Sequence, residues 1–191
     1  MKIAIFGGTF DPVHNAHIAV ASAALERFSL DRVLLIPAAN PPHKIAGQTE
    51  EYEHRYRMVE LACMGISGLE PSGLEAGVEK SYSIHTIERV RSMLTPKDLL
   101  FFLIGADAFA EVRTWFRWEE VIRAVEFIVV SRPGHPFESP PGAVIHRLET
   151  VWMDVSSSAI REQIAQGIRP ADLPDAVFEY IQGQRLYGCC P

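Results

Sequence analysis

The chain alternates short, continuously apolar runs with longer segments whose apolar residues recur at helical spacing. The runs Lys2–Phe6, Arg32–Ile36, Leu99–Ile104 and Phe127–Val130 carry bulky side chains on successive positions. That is the pattern of strands buried on both faces rather than on one. Val144–Leu148 and Val151–Val155 are shorter strand candidates. Between them, Asn15–Phe28 places Ile18, Ala21, Leu25 and Phe28 on one helical face. Helices are also expected over Glu50–Met64, Ile84–Leu94, Glu119–Ala124, Ser158–Gln166 and Pro174–Leu186, and Pro- or Gly-rich loops over Ala38–Gln48 and Pro133–Gly142. Strands alternating with helices predict an α/β fold, a doubly wound and mainly parallel sheet with helices on both faces. Residues 1–191 read as a single domain, with no repeat and no linker.

Ligands of such sheets bind beyond the carboxyl ends of the strands, near a reversal of strand order. The segments to search are therefore Gly7–His14, Pro37–Lys44, Gly105–Asp107 and Ser131–Gly134. The first reads GGTFDPVHNAH. Glycines at Gly7 and Gly8 let a ligand approach the backbone. The helix that follows aims its free N–H groups and positive dipole end at the same space, which suits a phosphate. His14 and His17 are three apart and share a helical face. Each can donate to a phosphate oxygen, and a bound polyphosphate would favour their charged forms. A tight turn with two capping or packing histidines is the plainer reading of the same residues. A zinc site lacks a third ligand, and both the GxGxxG fingerprint and the GxxxxGK[ST] loop are absent.

Charge narrows the partners. The formal net charge is −6, so the chain as a whole attracts neither nucleic acid nor an anionic membrane, and any anion site must gather its cations locally. Of the three cysteines, Cys63 sits in an apolar helical pattern, and Cys189 and Cys190 adjoin each other near the end. An odd count without metal spacing argues against a disulfide framework. No signal-peptide pattern and no membrane-length apolar stretch is present. A cytoplasmic location is expected, and a homo-oligomer is compatible with the sequence.

GGTFDPVHNAH resembles the signature of the HxGH nucleotidyltransferases, whose sheet is Rossmann-like. GGTFDPVH in particular is similar to the wording of bacterial nicotinate-mononucleotide adenylyltransferases. IPAANPPHK, SYSIHTI, LIGADAF, TWFRW, VVSRPGHP and VSSSAIREQI follow in the same order, so the resemblance runs from Lys2 to about Tyr187. The family usually has glycine where Ala16 stands, and threonine where Ser83 stands.

The resemblance implies transfer of AMP from ATP to nicotinate mononucleotide, giving deamido-NAD and pyrophosphate, with Mg²⁺ arriving on the ATP phosphates. It implies an ATP site built from Gly7, Gly8, Thr9, Phe10, His14, His17, Gly105, Asp107, Ser156, Ser157, Ser158, Ile160 and Arg161. His43, Lys44, Ser83, Ile84, Asp107, Trp115, Phe116 and Arg132 are implied for the mononucleotide, and His14, His17, Lys44 and Arg161 for catalysis. Arg55 is a weaker phosphate candidate. The substrate phosphate is itself the nucleophile, largely deprotonated at pH 7, so no nucleophilic side chain is required. An enzyme preferring nicotinamide mononucleotide and a non-catalytic nucleotide-binding module remain the alternatives.

Overall fold

The computed structural model describes residues 1–40, 49–131, 137–149 and 155–189. Six parallel strands form one sheet: β1 (Lys2–Gly8), β2 (Arg32–Pro37), β3 (Leu69–Pro71), β4 (Leu99–Gly105), β5 (Glu126–Ser131) and β6 (Ile145–Glu149). Their order is β3-β2-β1-β4-β5-β6. The order reverses between β1 and β4, which pair in parallel through Lys2↔Leu99 to Ile5↔Phe102. This is the switch point at which doubly wound sheets bind ligands.

Side-chain alternation along the strands divides the interior in two. Ala4, Val33, Leu35, Phe101, Leu103 and Ile128 face one layer, where they meet α1 (Asn15–Arg27), α2 (Tyr52–Cys63), α6 (Ser157–Ala165) and α7 (Asp175–Gln184). Ile3, Ile5, Ile36, Leu100, Phe102, Ile104, Phe127 and Val129 face the other, against α3 (Ser83–Ser92), α4 (Ala106–Ala110) and α5 (Trp118–Ala124). Both faces of the sheet are therefore covered, which is why its strands read as apolar throughout.

Apart from the strand expected at Val151–Val155, the expected strands and helices are present, with ends shifted by a residue or two. β3 and α4 escaped the sequence pattern. β3 has only three residues, ends in a proline and lies at the sheet edge, so it shows neither alternation nor a bulky run. α4 is five residues long, below the length at which helical periodicity can be read. Of the strand expected at Val151–Val155, residues 151–154 lie outside the described residues.

β1 runs directly into the loop of interest. Gly8 pairs with Pro37 across the sheet. Phe10 then turns into the left-handed region, with φ of 50°, a conformation that costs a non-glycine residue about 1–2 kcal/mol. Burial holds it there: Phe10 is 2% exposed and packs edge-on against Phe6 and His17. Its ring lies directly over Gly8, where a Cβ would come within 2.9 Å of the ring edge. At Gly7 the nearest atom to a Cβ is 3.8 Å away, an ordinary contact. Gly8→Ala is therefore expected to lower the unfolding free energy by about 1–3 kcal/mol through overpacking. Gly7→Ala should be close to neutral. Urea denaturation of both variants tests this, and equal midpoints would refute it.

Candidate active site

His14 is the N-cap of α1 and His17 lies in its first turn. The rings stack with centroids 3.7 Å apart at 25°. The His14 backbone N–H donates to His17 Nδ1 at 3.2 Å. That bond makes Nδ1 the acceptor and puts the proton of the neutral ring on Nε2. His14 is 5% exposed, and its buried Nδ1 has no hydrogen-bond partner among the described residues. Burial lowers the His14 pKa to about 4, against a weaker upward pull from Asp172. Burial, and then the neighbouring His14, hold His17 well below its ordinary value. The unliganded protein thus carries two neutral imidazoles at pH 7. The charge that the sequence allowed for them is not a property of the site at rest.

The loop between β1 and α1 is held from several directions. From α2, the Arg55 guanidinium donates to the carbonyls of Thr9 (2.8 Å), Ala38 (2.7 Å), Ala39 (3.2 Å) and Glu50 (2.9 Å). It is 1% exposed. Arg55 is therefore not a phosphate ligand, as its place in the sequence had suggested. It is the brace that ties the loops after β1 and β2 together. From α6, Ser157 Oγ donates to the Pro12 carbonyl at 3.0 Å, and Arg161 donates to the Asp11 carbonyl at 2.7 Å. Arg161 also reaches Ser158 Oγ at 3.3 Å and lies 3.8 Å from the Asp11 carboxylate. Ser156 caps α6, its hydroxyl accepting from the Ala159 N–H at 3.2 Å. Ile160 is a core residue. Two segments separated by almost the whole chain thus form one wall, which adjoins a cavity of about 510 Å³ lined by Asp11, Glu50, Arg161, Glu162 and Tyr187.

A second cavity, about 170 Å³, opens at the switch point. Gly7 and Gly8 from β1, Ile104 from β4, Ala38, Ser83 and Trp115 line it. Trp115 packs edge-on against Phe102 at 5.7 Å. Ser83 opens α3, whose first N–H groups have no intrahelical acceptor, and Ile84 behind it is buried. Glu75, missed in the sequence, also lines this cavity: it is 7% exposed and accepts from the Thr86 hydroxyl at 2.5 Å and the Ala39 N–H at 3.4 Å. No periodicity marks it, because it sits in the irregular segment between β3 and α3.

The remaining sequence candidates divide as follows. Phe10 offers only main chain, its ring being buried beneath the loop. Thr9 keeps its side chain partly exposed. Gly105 caps α4, and Asp107 lies exposed in that helix's first turn. Phe116 does not line the 170 Å³ cavity. It is 48% exposed and packs against Tyr82 and His85. His43, Lys44 and Arg132 lie outside the described residues.

The histidine burial has a stability signature. The unfolded chain takes up a proton near pH 6.5, while the folded His14 resists protonation until about 4. Its folded pKa is lowered, so the stability it contributes is present above pH 6.5 and is lost as the pH falls toward 4. Unfolding free energy should fall over that window, and fall less in His14→Gln. Urea denaturation at pH 7 and pH 4.5 measures both slopes, and identical losses would contradict it.

Residues 5–163 match the sequence model of the cytidylyltransferase-like family. A protein of Solibacter usitatus named "probable nicotinate-nucleotide adenylyltransferase" is 55% identical, with 98% of this chain and 100% of that protein covered. A relative of the same name from Thermoanaerobacter sp. is 36% identical over 98% of this chain and 94% of its own. Among solved structures, a Plasmodium falciparum nicotinic acid mononucleotide adenylyltransferase complexed with NaAD superposes with a TM-score of 0.80. It covers 99% of this chain and 98% of its own at 18% identity, so it speaks for the fold. With its switch-point cavity, its histidine pair and full-length relatives of one name, the chain belongs to the nicotinate-nucleotide adenylyltransferases of the cytidylyltransferase-like family.

Proposed function

We infer that the protein transfers the AMP moiety of ATP to nicotinate mononucleotide, yielding deamido-NAD and pyrophosphate. The observation that carries this reading is the joining of the histidine loop to the start of α6 through Arg161 and Asp11, beside a separate cavity bearing Trp115 and Ser83. The first feature offers donors to a polyphosphate. The second offers an aromatic face and a helix N-terminus to an anionic aromatic ring. The full-length relatives carry the name of this activity.

The chemistry follows from these parts. A phosphate oxygen of the mononucleotide attacks the α-phosphorus of ATP, forming one O–P bond. The bond from that phosphorus to the bridging oxygen breaks, and its electron pair leaves with pyrophosphate. No proton has to be removed from a phosphate already ionised, so the protein's task is alignment and charge stabilisation. His17 presents Nε2–H as a neutral donor, its tautomer set by the His14 backbone. Arg161, held against the Asp11 carbonyl, supplies fixed positive charge from the start of α6. Among the described residues no group of three or more His, Cys, Asp or Glu is arranged to hold a metal ion. Mg²⁺ arriving on the nucleotide phosphates would neutralise charge on the leaving pyrophosphate. No helix of the described residues is long and apolar enough to cross a membrane.

Pyrophosphate release from ATP with Mg²⁺ should require nicotinate mononucleotide and proceed faster with it than with nicotinamide mononucleotide. Absence of release by folded protein would overturn the reading and favour a binding module. His17→Ala should lower kcat by about 100-fold, the scale of one oxyanion donor, and turnover near the parent's would remove His17 from the mechanism. Ala16 occupies the second helical position of α1 and is partly exposed. Ala16→Gly is expected to cost about 1 kcal/mol of stability while kcat/KM for ATP stays within about twofold. A many-fold gain would show that this methyl obstructs the site.

A further inference from the structure

The family match ends at residue 163, yet a residue far beyond it reaches the catalytic loop. Tyr187 lies in the 3-10 turn Leu186–Gly188 that follows α7. Its hydroxyl donates to Asp11 Oδ1 at 2.7 Å, across 176 positions of sequence. Its backbone N–H donates to Glu50 Oε1 at 3.4 Å. The turn is bent to make this reach: Arg185 and Tyr187 both adopt left-handed φ, of 57° and 56°. Non-glycine residues pay for that conformation and hold it only where the surroundings impose it, often at functional sites.

Asp11 is the link. It is 1% exposed. Oδ1 accepts from Tyr187 and, at 3.3 Å, from the Glu50 N–H. Oδ2 makes no hydrogen bond among the described residues and faces Arg161 Nη1 at 3.8 Å, too long for a charge-assisted hydrogen bond. Arg161 instead holds the Asp11 carbonyl. We propose that Tyr187 is a positioning residue for ATP. By fixing the Asp11 carboxylate through Oδ1 it prevents that carboxylate from rotating onto Arg161 and keeps the guanidinium available to the triphosphate. Asp11, Arg161 and Tyr187 line the same 510 Å³ cavity, so the three groups border one space. Burial, then the Asp11 charge, push the phenol well above its ordinary pKa. The hydroxyl therefore remains a donor across the working pH range. Deprived of it, Asp11 would keep a single amide donor, and a nearly buried carboxylate with one weak partner closes onto the nearest cation.

The proposal rests on the reading of Arg161 as an ATP ligand. Tyr187→Phe removes only the hydroxyl. ATP affinity by calorimetry, without mononucleotide, is expected to weaken about tenfold, the size carried by a hydrogen bond to a charged group. The KM for nicotinate mononucleotide should be unchanged. In an Arg161→Ala background, Tyr187→Phe should weaken ATP no further, because the residue acts through Arg161. A purely structural tyrosine would lower Tm and leave ATP affinity within twofold, or would add its effect in full to that of Arg161→Ala. Either result overturns the proposal. Should Tyr187→Phe fail to fold, Asp11→Asn tests the same link without disturbing the turn. By removing the charge that competes with the triphosphate for Arg161 it is expected to strengthen ATP binding about threefold, and an affinity at or below the parent's overturns the proposal. A parent that binds ATP but releases no pyrophosphate refutes the adenylyl-transfer reading alone, since the affinities still decide the role of Tyr187.

Discussion

A loop that must expose its backbone to a polyphosphate cannot satisfy that backbone with a strand or helix of its own. Arg55 resolves this conflict. Its guanidinium, buried beneath the surface, donates to carbonyls of Thr9, Ala38, Ala39 and Glu50, each a hydrogen bond from a charged donor. Burial lowers the pKa of Arg55 while Asp11 raises it. The Tyr52 ring lies 5.7 Å from the guanidinium. A single cation thereby fixes the ends of β1 and β2 relative to each other, on the β2 side of the switch point. Because Arg55 is spent on this brace, the proposed mechanism assigns the positive charge facing the triphosphate, among the described residues, to Arg161.

The electrostatics of the site follow from that division. The protein as a whole is acidic, and His14 and His17 rest neutral because their surroundings exclude water. Neutral imidazoles suit this task. In the proposed mechanism they donate hydrogen bonds without forming a permanent cation that would bind the product pyrophosphate as firmly as the transition state, and interactions that favour both states equally do not accelerate the chemical step. The charge borne by Arg161 is likewise moderated, by a carboxylate nearby that does not close on it.

The fold was legible in the sequence because its strands are covered on both sides, so Leu99–Ile104 or Phe127–Val130 could be little else. The end of β1 and the start of α6 were legible as well, through Gly-Gly, the histidine pair and the serines before Arg161. Other features were hidden for identifiable reasons. Arg55 looked like any cation at the start of an amphipathic helix, and only the folded chain shows it turned inward onto carbonyls. Glu75 and Tyr187 act across 11 and 176 positions of sequence, in segments with no period to mark them. Phe10 looked like part of a ligand-binding phrase, yet its ring is core.

That last case separates two causes within one motif. GGTFDPVH reads as a single functional phrase, but its glycines answer to different constraints. Gly8 is demanded by the fold, since the Phe10 ring occupies the volume a Cβ would need. Gly7 is not, and neither is Gly105 at the end of β4, where a Cβ would meet nothing within 4 Å. Gly7 borders the switch-point cavity, and Gly105 ends β4 and caps α4. At Gly7, which borders the cavity, the missing Cβ leaves the backbone open to close approach by a ligand. Phe10 thus serves the site indirectly: its left-handed backbone turns the chain between β1 and His14, and its buried ring fills the space that Gly8 leaves.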